Sequence, residues 1–132
     1  MSGTRKKAPG MAVFCAALGT SHLLLALLQF VGWPAPSDPL LGLVIAVASG
    51  IYLMGTKDVY GKTPQGYAHV LVGGLFTLFF SGFEWLRIGG QYLSQWMEGE
   101  VAPVNWNTPV LGMAALGVLT LWVGRRWIRK VS

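Results

Sequence analysis

Apolar residues in this chain come in long blocks, not in the two-residue alternation of a strand or the narrow stripe of an amphipathic helix. The first block runs from about Met11 to Trp33 without a formal charge, and the second from about Leu40 to Gly55. The third runs from about Tyr67 to Phe83, with an extension towards Leu93, and the fourth from about Pro109 to Val123. Crossing a hydrocarbon layer of about 30 Å takes roughly 20 helical residues. The first block meets that length; the second and fourth reach it with their flanking residues. Backbone groups in lipid must satisfy one another, so the blocks predict helices. A closed barrel would need short alternating segments, which are absent. The expected fold is an all-α integral membrane protein, a bundle of four transmembrane helices over about residues 10–33, 38–56, 66–93 and 108–128. Short basic tails, residues 1–9 and 129–132, flank the membrane domain of residues 10–128.

Composition agrees with a chain solvated mainly by lipid: 53% of the 132 residues are hydrophobic and 11% charged, against about a quarter charged in soluble domains. The net charge of +5 would suggest a nucleic-acid partner if it formed one patch, but it does not. Arg5, Lys6 and Lys7 precede the first block, Lys57 and Lys62 lie between the second and third, and Arg125, Arg126, Arg129 and Lys130 follow the fourth. Only Arg87 falls outside these groups. The other two connections, Pro34–Pro39 and Ser94–Thr108, carry Asp38, Glu98 and Glu100 and no Lys or Arg. Four spans separate the two sets completely, so the positive-inside rule predicts both termini in the cytoplasm of a multi-pass cell-membrane protein. The charge is then an orientation signal, and no nucleic-acid partner is expected. The first block is too long for a signal-peptide core, and its sole candidate cleavage site, Ala35, precedes Pro36; it is read as a retained helix. Tyr92, Leu93, Trp96 and Met97 share a face in Gln91–Glu98. They predict either a short interfacial helix set off at Gly89–Gly90 or the end of helix 3.

Small residues at four-residue spacing allow close backbone approach, which drives helix association in lipid. Ala12 and Ala16 supply it in helix 1, continued by Thr20, and Gly42, Ala46 and Gly50 in helix 2. Gly73, Thr77 and Ser81 supply it in helix 3, and Gly124, after Thr120, in helix 4. These faces predict packing within the bundle and against other subunits.

Charged or titratable residues inside membrane segments are the default functional candidates. Glu84 and Arg87, spaced to pair on one helix turn, are the only formal charges within any apolar block. Their distance from Tyr67 and the neighbouring Trp85 predict a position near the outer interface. His22 lies near the middle of helix 1 and needs a hydrogen-bond partner, which Ser49 or Tyr52 on helix 2 could offer; His69, Tyr52 and Gln29 are the weaker site candidates. Two histidines raise haem ligation, but His22 lies roughly 18 Å and His69 roughly 5 Å from the cytoplasmic face at 1.5 Å per residue. No cofactor is expected, nor a metal, since the lone Cys15 and the two histidines have no ligand spacing. Gly55 to Gly61-Lys62-Thr63 imitates a phosphate-binding loop, yet holds five residues between its glycines instead of four.

With no catalytic constellation, the expected role is a non-enzymatic accessory subunit of a larger membrane complex, respiratory, hydrogenase-like or otherwise ion-coupled. The alternative is a self-assembling small transporter or channel, a homo-oligomer using Glu84, Arg87 or His22. A membrane enzyme or cofactor carrier would require polar side chains converging at one depth, which the linear pattern does not display.

Overall fold

The computed structural model describes residues 7–104 and 106–131. Arg5 and Lys6 of the basic N-terminal tail lie outside them. The described chain is four α-helices, with no strand: α1 (Pro9–Val31), α2 (Pro39–Tyr60), α3 (Pro64–Glu98) and α4 (Thr108–Val131). Each is long and apolar enough to cross a membrane, which makes this a multi-pass membrane protein by length and composition.

Every helix has a proline in its first turn, where its missing N–H costs nothing. Three also carry a side-chain cap. Asp38 accepts from Leu41 N, Thr63 from Gly66 N and Asn107 from Val110 N. Gly32 and Gly99 close α1 and α3 in the left-handed conformation, donating to Leu28 O and Gln95 O. These local signals move the boundaries. Instead of ending near residue 56, α2 runs to Tyr60, so Lys57 and Asp58 are helical. Only Gly61, Lys62 and Thr63 connect it to α3, and Thr63 locks this turn by donating to Asp58 O. A side chain at Gly66 would collide with the Asp58–Val59 backbone, so glycine is needed for the two helices to meet so closely. Likewise α3 continues unbroken through Gly89–Gly90 over 35 residues, so Gln91–Glu98 is its end and not a separate helix.

The helices run up and down in succession, each packed on its sequence neighbours, with α1 closing more lightly on α4. Ala8 N donates to Tyr60 O and ties the start of α1 to the end of α2. The buried positions follow a heptad-like rhythm: Met11, Cys15, Leu18, His22, Ala26 and Gln29 on α1, and Val110, Met113, Gly117, Thr120 and Gly124 on α4. That spacing suits nearly parallel helix axes with a shallow left-handed crossing. Of the small residues expected at interfaces, Ala12, Gly42, Gly73, Thr77, Ser81 and Gly124 are buried, whereas Ala16, Ala46 and Gly50 are half-buried. The actual α1–α2 seam thus runs through Cys15 and Gly19, one residue round from the Ala16–Thr20 face.

Candidate functional site: a hydrogen-bonded layer across the bundle

Four polar side chains, one from each helix, meet at a single level. They are His22, Tyr52, Thr77 and Thr120, each with 0% exposure. His22 and Thr77 both stand thirteen residues beyond the proline that opens their helices, Pro9 and Pro64, so they share a depth of about 20 Å from the basic end. Tyr52 sits on an antiparallel helix. Side chains tilt towards a helix N-terminus, so Tyr52 leans away from the basic end and His22 towards it, and their rings meet with centroids 5.0 Å apart. A Cβ at Gly73 would lie 2.7 Å from the Tyr52 ring; glycine there leaves the ring its place.

The hydrogen bonds cross both diagonals of the bundle. Thr77 Oγ1 lies 3.3 Å from His22 Nε2 and joins α3 to α1. Tyr52 donates to Thr120 Oγ1 at 3.3 Å and joins α2 to α4. Tyr52 and Thr77 lie 3.3 Å apart and link the two diagonals. Proton counting assigns the directions. His22 Nδ1 is 2.8 Å from Leu18 O, a pure acceptor, so Nδ1 carries the proton of a neutral ring and Nε2 accepts from Thr77. Thr120 donates to Leu116 O at 2.7 Å, so Tyr52 must donate to it. Tyr52 then has one proton for two neighbouring oxygens. A proton added at His22 Nε2 would free the Thr77 proton for Tyr52 and make the chain continuous from Leu18 O to Leu116 O.

Supporting contacts fix this layer. Ser49 donates to Gly19 O at 2.7 Å and Cys15 to Tyr52 O at 3.3 Å. The anticipated partner of His22 on α2 therefore resolves into a ring contact from Tyr52, while the hydrogen bond comes from Thr77. The sequence pattern displays no convergence of polar side chains at one depth, with Thr77 and Thr120 expected only to pack; the structure corrects this, since the four side chains share one layer. The depth these threonines share with His22 was a usable signal, readable once the opening prolines define where each helix starts.

A second polar cluster closes the opposite end. Glu84, with its side chain 7% exposed, accepts two hydrogen bonds from Arg87, from Nε at 2.9 Å and from Nη2, and one from Asn107 N at 3.3 Å. This forked geometry is the strong form of a carboxylate–guanidinium pair, and it secures the start of α4 to α3. Glu84 stands about 30 Å along α3 from Pro64, beside the edge-to-face pair Trp85–Trp106. A cleft of about 380 Å³ adjoins it, bordered also by Asp38 and Pro36. Nearby, Gln29 donates to Pro36 O at 3.3 Å, and its Oε1 is buried without a partner. His69 takes no part in either cluster. It donates to Gln65 O and lies 4.0 Å from Asp58, about 12 Å along α3 from Thr77. Among the described residues no group of three His, Cys, Asp or Glu side chains could hold a metal ion.

No family model, curated protein or solved structure matches this chain.

Proposed function

We propose that the protein is a small, non-catalytic accessory subunit of a larger assembly in the cell membrane, with both termini cytoplasmic and the α3–α4 connection outside. The observation that carries this reading is the overhang of α3. Its 35 residues extend about 52 Å, against about 30 Å of hydrocarbon and 40–45 Å with headgroups. A typical tilt of about 20° removes little of the excess. With Thr77 near mid-membrane, the residues after Arg87 project past the hydrocarbon. They carry Tyr92, Leu93, Trp96 and Met97, which are 51%, 56%, 79% and 73% exposed. Four large apolar side chains on one face of a projecting helix are a surface that calls for a cover. An external segment of another membrane subunit is the occupant proposed.

Support for the transporter alternative is weaker. His22 is enclosed by its own bundle, Glu84 and Arg87 engage each other, and the four-residue layer fills the space between the helices at mid-depth. Mild extraction of the tagged protein from its native membranes, followed by native mass spectrometry, tests the choice. Stoichiometric foreign subunits, lost in a Trp96→Glu/Met97→Glu variant of unchanged melting temperature, are expected. A pure homo-oligomer would refute the subunit reading and direct attention to flux measurements.

A further inference from the structure

The basic end of the bundle carries a feature that topology alone does not require. Between α3 and α4 runs a groove of about 380 Å³, walled by Val70 and Leu71 on one side and by Leu121 and Ile128 on the other, over Gly124. Its lining is almost wholly apolar except at one end, where Arg125 and Arg129 border it. These arginines are four residues apart, hence on one face of the last turns of α4. Among the described residues no carboxylate forms an ion pair with either arginine. The neighbouring Arg126 differs. It lies 4.0 Å from the Trp122 ring centroid and borders, with Lys130, a separate groove against α1.

We propose that the α3–α4 groove binds an anionic phospholipid. One acyl chain occupies the apolar trough, and the phosphate sits between the Arg125 and Arg129 guanidinium groups. Charge complementarity selects this occupant. The groove lies at hydrocarbon depth, where the available molecules are lipids and helices, and its open end presents two cations that have no ion pair among the described residues. Guanidinium groups match phosphate oxygens in a forked geometry that an ammonium does not offer. Basic pockets between transmembrane helices commonly hold anionic headgroups, and each cation favours them by about 5-fold in affinity. A zwitterionic lipid carries the same phosphate, but its choline cation opposes the two arginines, so headgroup net charge sets a preference of at most roughly 25-fold. The proposal rests on the bundle spanning a membrane and not on its being a subunit, so the two readings can fail separately.

The test uses the full-length protein reconstituted in phosphatidylcholine vesicles with trace spin-labelled phosphatidylglycerol or spin-labelled phosphatidylcholine. Electron paramagnetic resonance reports the fraction of each label immobilised on the protein. The wild type should immobilise phosphatidylglycerol preferentially. Arg125→Gln/Arg129→Gln should abolish the preference, and Arg126→Gln/Lys130→Gln should retain it. Leu71→Trp, which fills the trough and leaves every charge in place, should also abolish it; Ile128→Trp replaces that variant if its helicity is not native. Equal immobilisation of both lipids by the wild type would overturn the proposal. So would a preference that survives the trough-filling variant, since diffuse surface charge would then account for it.

Discussion

Replacing Thr77 with valine removes a hydroxyl and keeps the volume, which isolates the hydrogen bonds of the central layer from its packing. Thr77 Oγ1 has two polar neighbours, His22 Nε2 and the Tyr52 hydroxyl, each at 3.3 Å. In Thr77→Val the tyrosine still donates to Thr120, but His22 Nε2 is left as an acceptor without a donor in a ring that is 0% exposed. An orphaned buried polar group costs about 1–3 kcal/mol. Tyr52→Phe is the informative comparison. It removes two contacts, yet Thr77 keeps His22 and Thr120 keeps Leu116 O, so no group is orphaned. Hydrogen bonds between membrane helices average only about 0.6 kcal/mol, because the unfolded chain in lipid finds other partners. The expectation is thus about 1.5–2.5 kcal/mol for Thr77→Val and about 0.5–1.5 kcal/mol for Tyr52→Phe. Reversible unfolding in mixed micelles, titrated with sodium dodecyl sulfate and followed by tryptophan fluorescence, measures both. In the double variant the two costs should not add, since the side chains share one network. An inverted order, or a Thr77→Val cost below about 0.3 kcal/mol, would refute the proton assignment that makes His22 depend on Thr77.

Three further outcomes follow from the same geometry. Gly73→Ala places a methyl 2.7 Å from the Tyr52 ring and should destabilise the bundle by about 1–3 kcal/mol; a melting temperature equal to wild type would contradict the packing described. Nitrogen-15 spectra of the histidines at neutral pH should show His22 protonated at Nδ1, opposite Leu18 O, and a ring protonated at Nε2 would reverse the direction of the hydrogen-bond chain. In intact cells Val101→Cys, at a fully exposed position, should react with a membrane-impermeant maleimide, while the native Cys15, 0% exposed and bonded to Tyr52 O, should react only after denaturation. Labelling of the cysteine at position 101 only after cell lysis would invert the proposed orientation.

Much of the architecture is legible in the sequence, and the departures from it have physical causes. Hydropathy located the four helices, but it blurs at the ends, where Lys57, Asp58 and Tyr60 look like loop and are held in α2 by the short turn to α3. The opening prolines and the caps Asp38 and Thr63 were local signals for those boundaries, and they carry more positional information than hydropathy does. The pair Glu84–Arg87 was visible from its spacing alone, because both partners belong to one helix. Its third partner, Asn107 N, comes from the far side of a loop and had no counterpart in the linear pattern.

The chain by itself determined what its solvent demands. Apolar blocks long enough to cross a membrane must be helical, since lipid offers no hydrogen bonds to an open backbone, and the segregated Lys and Arg predict how the spans are threaded. Only the tertiary structure decided that His22, Tyr52, Thr77 and Thr120 form one layer. Their contacts join residues 25 to 68 positions apart, and such contacts depend on the relative register and rotation of four helices. Those quantities are set by the close backbone approaches at Gly19 and Gly66 and by the space that Gly73 leaves for the Tyr52 ring, and a linear pattern that records the depth of each residue does not record the azimuth it faces.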